Sequence, residues 1–227
     1  MNLELPRYQA KQVREAGQQF YVNTQGDRLP SVTTILNATK SREDRDRLFN
    51  WKQRVGVEQA AEITKTASRR GTGLHRHIQR YLQGEVTECT EFVRPYWDSV
   101  QPILDSLTDI QLVEGMVVHD QLRYAGVADC IATFEGVSCL CEWKTSDRPK
   151  QTIERLYDYP LQVVAYCGAA NQHYQEYNLN LCHALVVVAI PETPAEIFWF
   201  EPAAIAAYWE QWESRVRQYW RRLGYFG

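Results

Sequence analysis

Long apolar runs are missing from this 227-residue chain, and none of its stretches approaches the length of a membrane-spanning helix. Met1 to Arg7 offers neither the apolar core of a signal peptide nor an Arg/Ser-rich transit pattern, so the expected location is the cytoplasm. Cys-x-x-Cys pairs are absent as well. Cys89, Cys130, Cys139, Cys141, Cys167 and Cys182 fall largely within apolar runs. They read as small reduced hydrophobes of an intracellular protein, and argue against a disulfide framework or a zinc site. No internal repeat, low-complexity segment or Pro/Gly-rich linker divides the chain, which points to a single domain over 1–227. Nor is there a basic excess. The formal charge is −3 and the pI is near 6.0, which neither suggests nor excludes a polyanionic partner.

What is present is 44% hydrophobic residues, enough for one good core. Positive charge is concentrated locally at Lys52, Arg54, Lys65, Arg69, Arg70, Arg76 and Arg80, a set that solvated helix faces would also produce. Residues 1–30 read as irregular, with a small hairpin over Tyr21 to Leu29 turning near Gly26-Asp27. Ser31 or Thr33 then caps a helix. Helical spacing resumes from Phe49 to about Lys65. Gly71 and Gly73 break it and launch a short amphipathic helix from Leu74 to Leu82. A helix over Glu91 to Leu107 is expected to be interrupted at Pro95 and Pro102.

Strand patterns follow at Ile110 to His119, at 124–134 and at 138–144, then a helix over 160–172 that starts on Pro160. Ala184 to Ile190 has the continuous apolar character of a buried central strand, and Glu196 to Phe200 that of an edge. The last helix carries Ile205, Trp209, Trp212, Val216 and Tyr219 at steps of three and four, which is a core-packing stripe. Strands interleaved with helices in this order indicate an α/β or α+β fold around a mixed sheet.

Four groups of residues stand out chemically. Asp129 lies inside the apolar run Val127 to Ile131, where an unpaired carboxylate would be costly. A hairpin turning near Glu135-Gly136 pairs that run with the strand ending in Glu142-Trp143-Lys144. Alternation puts Glu142 and Lys144 on one face and Trp143 on the other. Two carboxylates with a lysine suit a hard divalent cation and an activated water, the chemistry of phosphodiester hydrolysis. Alternating charges on a wet sheet edge would have the same spelling. His75 follows Gly71 by four residues on a helix, where a lone histidine is usually structural, and His77 points too far round to join it in binding a metal. Gln162 and Tyr166 share a helix face, as many exposed polar pairs do. Glu114 sits in an apolar strand, where a salt bridge or an exposed edge explains it as well as a metal does.

In combination the order Gly71-x-x-x-His75, Asp129, Glu142-x-Lys144, Gln162-x-x-x-Tyr166 resembles the RecB-type branch of the PD-(D/E)XK nuclease superfamily. The stretches Glu142 to Lys150, Tyr159 to Ala169, Leu29 to Leu36 and Trp51 to Arg54 are similar, nearly residue for residue, to the mitochondrial genome maintenance exonucleases. The resemblance implies a restriction-endonuclease-like α/β core at about 71–200, an N-terminal helical arch at about 31–70 and a C-terminal helix at 201–227. It implies a Mg²⁺- or Mn²⁺-dependent exonuclease acting on single-stranded DNA ends in repair, replication or recombination. His75, Asp129, Glu142 and the carbonyl of Trp143 would hold the metal, with Glu114 a possible additional acid. Mn²⁺ tolerates the histidine better than Mg²⁺ does. Lys144 would serve the attacking water and the phosphate.

The same resemblance places Gln162, Tyr166, Thr145, Ser31, Thr33, Trp51, Lys52 and Arg70 against the substrate strand, with Trp51 and Phe49 able to stack bases. Glu142 stands where this branch often has Asp, a change the superfamily accepts. The carboxyl-end cysteine cluster of its iron–sulfur members has no counterpart, so no iron–sulfur cluster is expected. The missing presequence suggests a bacterial or phage protein, acting as a monomer and without a membrane. A silent DNA-binding scaffold and an endonuclease are the competing expectations.

Overall fold

In a computed structural model, residues 4–23, 26–86 and 88–225 are described. A three-stranded antiparallel sheet comes first: β1 (Lys11–Glu15), β2 (Gln18–Val22) and β3 (Arg28–Pro30). The β2–β3 hairpin is the one legible in the sequence. β1 is not, because Lys-Gln-Val-Arg-Glu offers a single apolar residue and lies on an exposed edge. Helix α1 (Val32–Ala38) is capped by Ser31, whose Oγ accepts from Thr34 N at 3.0 Å. Val32, Ile35 and Leu36 drive it into the main core, so α1 belongs to the body of the molecule and not to an arch.

Helix α2 (Arg42–Val55) buries no residue. It stops at Gly56, whose φ of 94° is accessible to glycine and strained for other residues. Helix α3 then runs unbroken from Val57 to Leu82, through Gly71 and Gly73. The expectation of a break at those glycines is therefore wrong. Each glycine costs helix propensity of about 1 kcal/mol, but burial of Ala60, Arg70, Leu74 and Ile78 along one stripe outweighs it. Gly73 is also needed for contact: a Cβ there would meet Val93 Cγ2 at 2.8 Å. Helix α4 (Arg94–Asp105) takes Pro95 in its first turn, where no N–H is missed, and contains Pro102.

The main sheet has five strands in chain order: β4 (Thr108–His119), β5 (Tyr124–Phe134), β6 (Val137–Thr145), β7 (Ala184–Ala189) and β8 (Glu196–Phe200). Within this sheet β6 and β7 pair in parallel, across the connection that contains helix α5 (Tyr159–His173), and the other neighbours pair antiparallel, so the sheet is mixed as expected. The β5–β6 turn has positive φ at both Glu135 (49°) and Gly136 (81°), the two-residue hairpin form. Pleating sends Ile131, Leu140, Val186 and Val188 to one face, covered by α1, α5 and the final helix α6 (Pro202–Arg222). Cys130, Cys139, Cys141, Trp143 and Val187 go to the other face, covered by α3 and α4. The α6 stripe packs as expected, with Trp212, Val216 and Tyr219 buried.

Candidate active site

The backbone ladder between β5 and β6 ends at Cys130↔Cys141, and the site begins one residue further on. Past that point the amide N–H of Trp143 donates to Asp129 Oδ2 at 2.8 Å. The carbonyl of Trp143 meets His75 Nε2 at 2.9 Å. Polar backbone groups that would have continued the ladder are thus taken by side chains, one from β5 and one from α3. The other ring nitrogen of His75 lies 3.2 Å from Asp129 Oδ1 and 3.4 Å from Glu114 Oε1. Acceptors facing both nitrogens favour the protonated form of the ring, which donates from each.

Glu114 arrives there from β4, where the neighbouring pairs Val113↔Cys130 and Gly115↔Ala128 set it opposite Asp129. Its φ of 48° is rare for a non-glycine residue in mid-strand. One ligand atom from each of His75, Glu114 and Asp129 lies within 4.8 Å of the others, a spacing suited to a metal ion. A hollow of about 400 Å³ opens beside them, lined by Gly71, Thr72, His75, Arg76, Gln79 and Glu114.

Glu142 and Lys144 share a face, as the alternation required. Lys144 Nζ donates to Glu142 Oε1 at 2.5 Å and stands 4.8 Å above the ring of Tyr159. Glu142 is only 1% exposed, and its Oε2 is buried without a hydrogen-bond partner among the described residues. An orphaned carboxylate oxygen beside a lysine, a second buried carboxylate and an imidazole is a donor set that fits a hard divalent cation.

The charges shift one another. Burial, then the charge of Asp129, pushes Glu142 up to about 7 against the pull of Lys144. Burial opposes charge on Lys144 too, but Glu142 and Asp129 together raise it above its usual value. For His75, burial is again outweighed, here by Asp129 and Glu114, and the imidazole rises well above its ordinary range. Asp129 goes the other way: burial is overcome by His75, Lys144 and the Trp143 N–H, and its carboxyl is held low.

Helix α5 supplies Gln162 and Tyr166 from the face opposite α3. Gln162 Nε2 donates to Tyr166 Oη at 3.2 Å. The Tyr166 ring lies so close to β5 that a Cβ on Gly126 would sit 2.3 Å from Cε1. Arg70 is 7% exposed and committed: Nη1 bonds Asp147 Oδ1 at 2.5 Å and Tyr96 Oη at 2.8 Å, and Nε reaches Thr145 Oγ1 at 3.4 Å. It ties α3 to the segment leaving β6. Asp147 was visible only as part of the stretch Glu142 to Lys150. Tyr96, on a separate helix, carried no local signal. Ser31 is buried in its capping role, while Thr33 is exposed. Trp51 is half-buried and Lys52 exposed on α2, outside the contacts around Asp129.

No family model matches the chain. Among curated proteins it is 36% identical over 203 residues to mitochondrial genome maintenance exonuclease 1 of Mus musculus, covering 86% of this chain and 60% of that protein. The Homo sapiens protein of that name is 34% identical over 200 residues, covering 84% and 58%. The Xenopus tropicalis protein is also 34% identical over 200 residues, covering 84% and 57%. The chain thus spans somewhat less than two thirds of the length of these relatives. A solved structure from Eubacterium rectale superposes at a TM-score of 0.47 with 11% identity over 70% of this chain and 69% of that one, too loosely to carry an argument. Similarity at this level over most of the sequence is homology, and the chain is a homologue of the proteins named mitochondrial genome maintenance exonuclease 1.

Proposed function

We propose that the chain is a divalent-metal-dependent deoxyribonuclease that hydrolyses phosphodiester bonds of single-stranded DNA from free ends. The observation that carries this reading is the buried Glu142 carboxylate, one oxygen on Lys144 and the other unpartnered, beside Asp129 and His75. The names of its relatives, all exonucleases, agree with it. His75, Asp129, Glu142 and the Trp143 carbonyl would hold Mg²⁺ or Mn²⁺, with Glu114 within reach of the same cluster. Such an ion supplies polarisation of the phosphate and a more acidic water when bound.

The protein's own groups do the rest. Lys144, fixed by Glu142 and Tyr159, presents a positive charge to the attacking water and to the charge that grows on the phosphate. Gln162 and Tyr166 orient the scissile strand from the α5 side. Arg70 braces α3 against β6 through Asp147, keeping His75 and Lys144 in mutual register. Helix α2 and the first half of α3 form the arm that the strand passes, with Trp51 and Lys52 on it.

End-labelled single-stranded DNA incubated with Mg²⁺ or Mn²⁺ tests the reading. Lys144→Ala is expected to abolish cleavage while the circular dichroism spectrum is kept, and full activity in that variant would sink the assignment. Covalently closed single-stranded circles should survive, and their cutting would make the protein an endonuclease.

A further inference from the structure

Tyr157 is 60% exposed, yet its backbone sits at φ 55° and ψ −116°, a conformation strained for any residue with a side chain. Both neighbours hold it there. Leu156, at the end of the short 3₁₀ turn Ile153–Leu156, is fully buried, and Asp158, just ahead of α5, pairs with Arg215 Nη1 of α6 at 3.6 Å. A tyrosine kept outward against backbone strain calls for a reason that packing does not supply. Arg47 of α2 lies 5.7 Å from the ring centroid, and Lys150 of the β6–α5 connection 5.9 Å. Both distances are near the outer limit of cation–π contact, too long to fix the ring. Arg47 also pairs with Glu43 at 3.3 Å and Asp44 at 3.4 Å. Two residues along the chain, Tyr159 packs against Lys144, and Arg47 brings α2 to the same turn.

We infer that Tyr157 is a stacking platform for a nucleobase of single-stranded DNA, with Arg47 and Lys150 as the cations for the adjoining phosphates. An exposed aromatic face between two cations accepts any base, because every base has a π-face and the backbone charge is uniform. The inference rests on the nuclease reading and adds a substrate contact to it.

Binding of a fluorescent single-stranded oligonucleotide to the full chain, in the Lys144→Ala background and in EDTA so that nothing is cut, provides the test. Tyr157→Ala is expected to weaken binding about tenfold, and Tyr157→Phe to stay within about twofold. Moving one abasic site along the oligonucleotide should find a position that costs the Tyr157 protein about tenfold and adds nothing to Tyr157→Ala. Tyr157→Gly should bind as weakly as Tyr157→Ala yet unfold at a higher temperature, because glycine relieves the strain; a lower midpoint would mean that the tyrosine is structural. Tight binding that Tyr157→Ala leaves unchanged overturns the platform while the nuclease reading stands. A Tyr157 protein that binds no DNA overturns the platform, and the nuclease reading is decided separately by the cleavage assay on end-labelled DNA.

Discussion

His75 Nε2 lies 2.9 Å from the carbonyl oxygen of Trp143, residues 68 apart in sequence and on different elements of the fold. That contact, and Asp129 beside Nδ1, favour a protonated imidazole, from which a metal ion would have to displace a proton. Metal binding is therefore expected to release protons and to weaken as pH falls through about 7, where Glu142 takes up a proton. Calorimetry of Mn²⁺ binding in buffers of different ionisation enthalpy measures the release directly. Affinity that is flat between pH 6 and 8, roughly a unit either side of the Glu142 value of about 7, would contradict Glu142 as a metal donor.

Glu142 makes a prediction about stability. Its folded value of about 7 exceeds the ordinary 4.5, so between those values the folded state binds more protons than the unfolded one. Stability contributed by this group is present below the ordinary value and is lost as pH rises through about 7. Glu142→Gln should consequently be more stable than the parent at pH 8, by on the order of 1–3 kcal/mol, and nearly equal to it at pH 5. It should be inactive at both. Guanidinium unfolding at the two pH values decides, and a variant less stable at pH 8 refutes the burial argument.

Gly126 and Gly168 form a matched pair of tight contacts. A Cβ at Gly126 would meet Tyr166 Cε1 at 2.3 Å, and one at Gly168 would meet Trp209 Cζ3 at 2.1 Å. Alanine at either position should cost about 1–3 kcal/mol, since a packed ring must move. Only Gly126→Ala displaces a ring next to the candidate active site. Its cleavage rate should fall well beyond the loss in Gly168→Ala. Equal rates in two equally destabilised variants would remove Tyr166 from the site.

His119 gives a second pH signature, away from the metal donors. It is 7% exposed, stacks near Tyr124 and Trp209, and its Nδ1 accepts the Leu122 N–H at 3.2 Å. Burial lowers its pKa to about 4. The unfolded state, with the ordinary 6.5, binds the proton first, so stability is full above 6.5 and declines as pH falls towards 4. His119→Asn keeps an acceptor without a titration. Its unfolding midpoint should change less between pH 7 and 5 than that of the parent, and parallel changes would rule His119 out as the source.

Element types were largely readable because their patterns are local. The β5–β6 turn at Glu135-Gly136, the buried β7 run and the α6 stripe each follow from residues within one segment. So does the shared face of Glu142 and Lys144, which a strand's two-residue period imposes. The errors arose where tertiary burial overrode local preference. Gly71 and Gly73 read as a break, yet α3 continues through them because Leu74 and Ile78 are buried and Val93 needs the space. β1 was missed because its pairing with β2, and not its own composition, makes it a strand.

The sequence offered Asp129, Glu142 and Lys144 as candidates by residue type and spacing and His75 through the family resemblance, and the structure brings the four side chains together. No local pattern could show that the β5–β6 ladder stops at Cys130↔Cys141 and leaves the polar groups of Trp143 to Asp129 and His75. Nor could it show Glu114 opposite Asp129, Arg70 spent on Asp147, or Tyr157 held outward against strain. Those relationships depend on sheet register and helix docking. Register and docking are set by burial summed over the whole chain, and a short segment does not contain that sum.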